Sequence, residues 1–364
     1  MTASAQRQAH FDHLRILLTF LVVLHHAAIT YGGSGGWYWR ELPNASVVPL
    51  IMLNAIDQSF FMGFFFLLSG YFMVASLERK TTASFLIDRC VRLGIPLLFY
   101  FFLLSPLTIA LAHDSPANIA EKYWLMIKEQ QFGPGPLWFA EALLIFAVVY
   151  LLVNKFVDVT RWSPARLPGF ISLLLIALGL GIISFIVRLK IPVGHEVLWL
   201  QLGFFPCYVF LFFAGCAAYK HQLLDKVNGK YVMPWVIISL TAISTLPFAL
   251  AHLLGTGAFE GGWNTNAVYY AFWDPLTAWG IILGLLWYFR HFLSVPTPLS
   301  QWTARRVYGV FIFHAPVLVA ISVMLGPFAI NPYIKFIVAS LLTFVSGLLL
   351  TSLFLRFPGV RKIL

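Results

Sequence analysis

Charged residues are scarce in this sequence: Asp, Glu, Lys and Arg make up 10% of the 364 residues, whereas 60% are hydrophobic. A soluble domain carries about 25% charged residues, so this chain has too few of them to cover a water-exposed surface. The sequence also lacks the alternation of polar and apolar residues that is typical of transmembrane β-strands. These two absences argue against a soluble domain and against a β-barrel.

Cysteine is also rare, with three residues, Cys90, Cys207 and Cys216. They form no paired framework, so we expect free thiols. Cys207 and Cys216 could be a metal pair, but they are nine residues apart with no nearby histidine, and we interpret them as packing residues. The sequence therefore predicts no metal site.

What the sequence does contain is a series of apolar segments near the ~20 residues that a helix needs to cross a membrane. They predict an all-α bundle of about ten transmembrane helices that forms a single domain over residues 1–364. The predicted spans are Phe11–Tyr31, Val48–Ala75, Val91–Ala112, Leu137–Phe156, Leu167–Val187, Val197–Tyr219, Tyr231–His252, Ala267–Phe289, Val307–Leu325 and Pro332–Leu355.

Basic residues outnumber acidic ones by 24 to 14, which gives a net charge of +10. In a soluble protein this excess would suggest nucleic acid, but here it lies in short loops, where it sets orientation and meets anionic lipid. Ten spans place both termini on one side. If that side is cytoplasmic, 18 of the 24 basic residues lie inside, Arg7 and Arg161 among them. The pattern predicts a multi-pass inner (plasma) membrane protein with both termini cytoplasmic and no nucleic-acid partner.

Several ionisable residues fall inside the predicted spans, where they are costly and therefore candidates for function. Arg15 and His26 lie eleven residues apart in the first span. Eleven steps of 100° return to within about 20° of the same helix face, and the two residues are about 16 Å apart along the axis. The other intramembrane candidates are Asp57, Glu141, Asp274 and His314.

A histidine oriented by a carboxylate is a general base that can take a proton from a hydroxyl. Each candidate also has an alternative interpretation. Arg15 could anchor the topology at a helix mouth, and His26 could be a hydrogen-bonded core residue. Asp274, which precedes Pro275, could cap a broken helix, and Glu141 could make a packing hydrogen bond.

Arg89 and Arg92 form an R-x-x-R pair at the inner mouth of the third span. Three residues turn the helix by 300°, so both guanidinium groups lie within about 60° on one face. Arginine binds phosphate oxygens as a bidentate fork, and a cytoplasmic phosphate-rich donor such as coenzyme A would fit there. Arg79, Lys80, Arg305 and Arg306 are also predicted inside and could add to the field. The alternative is ordinary positive-inside charge.

Two further segments have open interpretations. Gly63, Ser69 and Gly70 in the second span allow close helix packing or leave room for an apolar chain, and we favour packing. The first outer loop, Gly32 to Pro43, contains Trp37, Tyr38 and Trp39. These aromatic residues could stack on a sugar or form an interfacial belt, and we slightly favour the belt.

Five short motifs together resemble the acyltransferase-3 family of bacterial membrane acyltransferases. They occur in the family's order from near residue 10 to residue 316, which covers most of the chain. Within the family, the chain is most similar to small members such as glucan biosynthesis protein C, with no fused periplasmic domain expected. The motifs are Arg15 with His26 in FDHLRILLTFLVVLHH, FFLLSGY from Phe65 to Tyr71, Arg89 to Arg92, Pro136 to Phe139 with Glu141, and YGVFIFHAP from Tyr308 to Pro316.

The resemblance implies O-acylation: an acyl group, acetyl or succinyl, passes from cytoplasmic acyl-CoA through the membrane core to a hydroxyl of an extracytoplasmic glycan or small molecule. Arg89 and Arg92 would bind the donor phosphates, and Arg15 would line the donor channel. His26 would be the base or a transient acyl carrier. The residue that orients His26 would be Glu141, Asp274 or Asp57.

The rival hypothesis is a proton-coupled secondary transporter, because intramembrane histidines and carboxylates also form proton relays. Many transporters contain inverted repeats, and the sequence shows none. The paired arginines Arg89 and Arg92 are better explained by a phosphate-bearing donor. The acyl group, the acceptor and the roles of Asp57 and His314 stay open at this point.

Overall fold

The computed structural model describes residues 3–41, 47–113, 118–157, 164–253 and 257–364. The side chains of residues 3–8 and 253 are not described. The predictions that concern the Arg7 side chain, Pro43 and Arg161 therefore lie outside the described part of the chain.

The described residues form helices and no strand, apart from one isolated bridge between Val197 and Leu200. This confirms the predicted all-α class. The helices are α1 Ala3–Thr30, α2 Val48–Leu77, α3 Thr82–Leu111, α4 Ile119–Lys128, α5 Trp138–Phe156, α6 Phe170–Arg188, α7 Phe205–Tyr219, α8 Gly229–Leu253, α9 Thr265–Phe292, α10 Pro298–Ala304, α11 Val307–Leu325 and α12 Pro332–Phe354.

Ten of these helices lie at the positions of the ten predicted spans. Within the described residues, nine are long and apolar enough to cross a membrane. The tenth, α9, is 28 residues long but is not among the nine. It contains several Tyr and Trp residues together with Asp274 and Arg290. The protein therefore has the character of a multi-pass membrane protein.

Helix α3 begins at Thr82, nine residues before the predicted start of the third span. Its backbone has a π-helical turn at Cys90–Gly94 and a second one at Tyr100–Leu104. Each turn precedes a proline, Pro96 or Pro106, that cannot donate a backbone hydrogen bond. Arg89 therefore ends the regular part of the helix and Arg92 lies in the first π-helical turn. The position of the R-x-x-R pair at the inner mouth of the span stays a prediction.

The chain divides into two compact units that alternate along the sequence. The first unit comprises Met1–Leu14, Ile56–Thr82 and Phe146–Pro296. The second unit comprises Arg15–Ala55, Ala83–Ile145 and Thr297–Leu364. Helices α6, α8 and α9 pack together in the first unit, and α11 packs on α12 in the second.

In the first unit, α2 and α7 approach each other at two glycines. A Cβ atom added to Gly70 would meet the carbonyl oxygen of Phe212, and one added to Gly215 would meet that of Leu67. No side chain fits between the two backbones there. The structure therefore supports close packing at Gly70 over space for an apolar chain.

The second unit has a core at the C-terminal end of α1. Ala27, Ala28 and Tyr31 pack with Leu318 of α11 and Ala339 of α12, all of them buried. The partly buried Trp37 and Trp39 of the loop after α1 pack against this core. This core holds the end of α1, and with it His26, against α11.

Candidate active site

Three aromatic rings stack in the second unit. The His26 ring on α1 lies 5.3 Å from the His314 ring on α11, and the planes differ by 21°. The Trp37 ring covers His26 at a centroid distance of 3.9 Å and an angle of 18°. Trp37 and His314 are 6.2 Å apart. We call His26, His314 and Trp37 the ring stack.

The last turn of α1 is held by side chains that bind its carbonyl groups. The Thr30 hydroxyl donates to the carbonyl of His26 at 2.9 Å. The Asn54 amide on α2 donates to the carbonyl of His25, also at 2.9 Å. A carbonyl oxygen has two lone pairs, so each of these carbonyls can accept a side-chain donor in addition to the bond within the helix. The backbone that carries His26 is therefore fixed.

The tautomer of His314 follows from its hydrogen bond. Its Nδ1 lies 2.7 Å from the carbonyl oxygen of Phe311, which can only accept, so Nδ1 carries the hydrogen. In a neutral imidazole the lone pair is then on Nε2. His314 is fully buried, and its Nε2 has no hydrogen-bond partner among the described residues. The fold thus keeps an unused acceptor beside His26.

The other two rings of the stack also have buried polar atoms without partners. In the described part of the chain, neither His26 Nδ1 nor the indole Nε1 of Trp37 makes a hydrogen bond. Leaving a buried polar group unpaired costs about 1–3 kcal/mol. Other described residues, such as Trp235 and Thr343, also have such atoms, but the ring stack gathers three of them on adjoining rings. The ring stack therefore has the features of a binding site, with an N–H donor on Trp37 and an acceptor on His314.

The loop that carries Trp37 is braced at its far end. The Lys335 ammonium on α12 contacts both carboxylate oxygens of Glu41 at 2.8 Å and the carbonyl of Gly326 at 3.3 Å. The Glu41 backbone N–H donates to the carbonyl of Thr30 at 2.8 Å. Lys335 is only 2% exposed. Trp37 therefore lies on a loop closed between α1 and α12.

Hydrogen bonds between residues of the loop also stabilise its conformation. Arg40 donates to the carbonyls of Gly33 and Gly35 at 2.8 and 3.1 Å. Gly35 has φ of +126°, a conformation that L side chains rarely adopt. Trp37 faces His26, which favours a role at the site over an interfacial belt for this residue.

Arg15 and Glu141 both belong to the second unit. Helix α1 is unbroken from Ala3 to Thr30, so Arg15 and His26 have the helical spacing that was predicted. Glu141 is half-buried on α5. No hydrogen bond joins Glu141 to His26 in the described ranges, so its orienting role stays a prediction. The nearby Phe139 ring contacts Phe311, one turn from His314.

Arg89 and Arg92 differ in their surroundings. The Arg89 guanidinium lies 5.1 Å from the Phe85 ring centre, and its buried Nε has no partner among the described residues. Arg92 is exposed, and its Nε lies 3.3 Å from the Asp88 carboxylate. The backbone carbonyl of Arg92 accepts a hydrogen bond from the Tyr308 hydroxyl at 2.6 Å. The prediction of a phosphate site considered only the charges of Arg89 and Arg92. The Asp88 carboxylate offsets part of that positive charge.

Asp274 lies in the first unit, where its carboxylate is paired with Arg188. Arg188 is 1% exposed, and it also donates to the carbonyl of Gly203 at 3.0 Å. Its guanidinium stacks on the rings of Phe204 and Tyr270. Helix α9 continues through Pro275, so the alternative that Asp274 caps a broken helix is wrong. Its role as a partner of His26 stays a prediction.

Asp57 is also in the first unit and is buried, and no described residue donates a hydrogen bond to its Oδ2. The three cysteines are free thiols. No group of three or more His, Cys, Asp or Glu residues with metal-binding geometry occurs among the described residues.

The sequence assigns no role to His314 and does not connect it with Trp37, Glu41 or Lys335. The motif at Tyr308 to Pro316 was the available signal for His314. No sequence signal relates Lys335 to Glu41, which are separated by 294 residues.

Comparison with curated proteins and with solved structures gave no match. The similarity to glucan biosynthesis protein C therefore stays a prediction. A family model described as an acyltransferase domain matches residues 8–356, which is nearly the whole chain and includes every candidate residue above. The chain therefore belongs to the acyltransferase-3 family of membrane acyltransferases.

Proposed function

We propose that this protein transfers an acetyl or succinyl group from cytoplasmic acyl-CoA to a hydroxyl of an extracytoplasmic glycan or small molecule. The observation that carries the proposal is the ring stack, in which His26, His314 and Trp37 each present a buried polar atom without a partner among the described residues. The family supports acyl transfer. Arginines in the same unit suit a phosphate-bearing donor.

In the proposed reaction, His26 takes the proton of the acceptor hydroxyl as general base. The hydroxyl oxygen forms a bond with the thioester carbonyl carbon, the carbon–sulfur bond breaks, and coenzyme A leaves. The unpaired indole N–H of Trp37 would bind the oxygen that becomes negative, which is the kind of contact that stabilises acyl-transfer intermediates. His314 Nε2 would accept a hydrogen bond from the acceptor and hold it beside His26.

A second form of the reaction uses His26 as a transient acyl carrier between donor and acceptor. An acyl-imidazole would form on His26 with loss of coenzyme A, and the acceptor hydroxyl would then attack it. Rapid quenching followed by peptide mass spectrometry distinguishes the two forms, because only the carrier mechanism adds an acyl group to His26.

We assign the remaining roles from the same arrangement. Arg15 lines the donor path on the same face of α1 as His26, about 16 Å away along the helix axis. Arg89 and Arg92 bind donor phosphates. Glu141 is the carboxylate that orients the histidine, because it belongs to the same unit. Asp274 would have to leave Arg188 to take that role.

The location we propose is the inner (plasma) membrane, with both termini cytoplasmic. The supporting observation is the distribution of basic residues, 18 of 24 of which would then lie on the cytoplasmic side. This orientation places Arg92 on the donor side and Glu41 with Lys335 on the acceptor side.

The test is release of coenzyme A by the purified protein in lipid nanodiscs, with acetyl-CoA and succinyl-CoA as donors and water in place of the acceptor hydroxyl. Wild type should release the thiol, and His26→Ala should lower the rate about 10²–10⁴-fold. His252→Ala, which changes an exposed histidine of the first unit, is the matched control and should keep the wild-type rate. If the folded wild type neither binds nor turns over either donor but moves protons with a solute in liposomes, the transporter hypothesis replaces this one.

A further inference from the structure

A cleft with four arginines lies at the end of the second unit that carries the first residues of α11. It has a volume of about 430 Å³. Arg305 and Arg306 come from the junction of α10 and α11, and Arg356 and Arg361 come from the segment after α12. We call these four residues the arginine cleft. Arg305 and Arg306 were predicted only to add to the positive field around Arg89 and Arg92, and the proposed function uses none of the four.

Two of the four guanidinium groups are held in place by bonds that leave further N–H groups unused. Arg306 donates from Nε to the Ser352 hydroxyl and from Nη1 to the carbonyl of Trp302, each at 2.7 Å. Its guanidinium also stacks on the Trp302 ring at 4.1 Å. Arg361 donates from Nε to the carbonyl of Leu355 at 2.7 Å. The donors are therefore oriented before any ligand binds.

The part of the chain that forms the cleft has no acidic side chain. Residues 297–364 contain six basic residues and no Asp or Glu. In the described part of the chain, no carboxylate side chain forms an ion pair with any of the four arginines. The pKa of Arg306 lies below its ordinary value, because of desolvation and because Arg305 is close. Four guanidinium groups around one cleft repel each other and so favour a bound anion.

The arginine cleft lies near the R-x-x-R pair. Tyr308, two residues after Arg306, donates its hydroxyl hydrogen to the backbone carbonyl of Arg92 at 2.6 Å. Both groups of arginines therefore occupy the same end of the second unit. A ligand with two separate phosphate groups could contact both.

We propose that the arginine cleft binds a phosphate group, and that this group is the 3′-phosphate on the ribose of the acyl-CoA donor. The identity of the ligand rests on the proposed function. The pyrophosphate of the same donor would lie at Arg89 and Arg92. Arginine suits this role because its planar fork binds two phosphate oxygens at once. The headgroup of an anionic phospholipid has the same chemistry, and the experiment separates the two sources.

The first arm measures binding of adenosine 3′,5′-bisphosphate to the full chain in phosphatidylcholine nanodiscs, without any turnover. The double variant Arg356→Gln with Arg361→Gln should weaken this binding about tenfold or more. Adenosine 5′-monophosphate lacks the 3′-phosphate. Its affinity should therefore differ by less than about twofold between wild type and the double variant. The control Arg290→Gln with Lys230→Gln removes the same charge from exposed positions of the first unit and should leave both affinities unchanged.

The second arm uses nanodiscs that contain phosphatidylglycerol and counts retained lipids by native mass spectrometry. If the double variant loses bound phosphatidylglycerol but binds the bisphosphate as wild type does, the assignment to the donor is overturned in favour of a lipid site. If neither ligand is affected, the arginine cleft is not a phosphate site. Both results are independent of the His26→Ala test, because binding is measured without acyl transfer.

Discussion

The two units of this protein bury polar groups in different ways. In the first unit, Arg188 and Asp274 are both almost fully buried and bind each other, and Arg188 has a second bond to the Gly203 carbonyl. In the second unit, His26 and His314 stack on each other, and each leaves one buried nitrogen without a partner among the described residues. Arg188 Nη1 and Asp274 Oδ1 also lack partners among the described residues, but each of these side chains has the other as its charge partner. The two histidines have no such charge partner among the described residues, so their nitrogens are available to a ligand.

The ring stack should be the part of the molecule where substitutions abolish activity and leave the fold intact. His314→Leu should lower coenzyme A release about 100-fold, because leucine has no hydrogen-bond acceptor at the position of Nε2. Its melting temperature should stay close to that of wild type. The measurement is a donor-turnover assay beside a thermal melt in the same nanodiscs. A large loss of stability with normal specific activity would contradict the comparison.

Substitutions at the buried ion pair should have the opposite effect. Removing one partner of a buried pair leaves an uncompensated charge, so Asp274→Leu alone should destabilise the fold by about 3–5 kcal/mol. The double variant Asp274→Leu with Arg188→Met should recover much of that loss, because no charge is left unpaired. Chemical or thermal unfolding of the purified protein measures both. Equal stability of single and double variants would show that the pair is not the stabilising feature.

Packing in the first unit can be tested with a matched pair of glycines in helices. Gly70→Ala should destabilise the protein by about 1–3 kcal/mol, because the new methyl group would meet the backbone of Phe212. Gly179 on α6 has no atom within 4 Å of an added Cβ. Gly179→Ala should be neutral or stabilise the protein by up to about 1 kcal/mol. Thermal melts of both variants measure these changes in stability. If the two variants change the stability by similar amounts, the close approach of α2 and α7 does not restrict the side chain at position 70.

The brace between Lys335 and Glu41 should have a smaller effect on stability than the Arg188–Asp274 pair, because the Glu41 side chain is 29% exposed, and it should have a measurable effect on activity. Lys335→Met should lower turnover about tenfold, because a loop displaced by about 1 Å at the site can cost more than that. Glu41→Gln should behave similarly, and the double variant Lys335→Met with Glu41→Met should be less than additive. Lys335→Arg, which keeps the charge, should restore most of the rate. A loss of stability with an unchanged rate would assign the pair to folding alone.

Much of the architecture could be predicted because transmembrane helices follow from local composition. The apolar segments located the ten long helices to within a few residues in most cases. The largest error was the start of α3, which begins at Thr82 and not at Val91. Hydropathy did not predict this helix start, because the first helical residues include polar ones such as Thr82, Asp88 and Arg89, which precede the apolar segment.

The candidate site was predictable only in part. Helical periodicity relates Arg15 to His26, because both lie on one helix. The same argument does not show that His314 stacks on His26, that Trp37 covers it, or that Lys335 reaches Glu41. These contacts join residues on different helices and loops, whose rotation and depth depend on how the helices pack.

The sequence by itself determined the class of the protein, the positions of its helices and the family to which it belongs, because these depend on composition and on motifs within single segments. Only the tertiary structure decided which polar groups meet. It paired Asp274 with Arg188, placed His314 beside His26 and gathered four arginines in one cleft. The physical reason is that a buried polar group is stabilised or left unpaired by its neighbours in space, and helix packing alone chooses those neighbours.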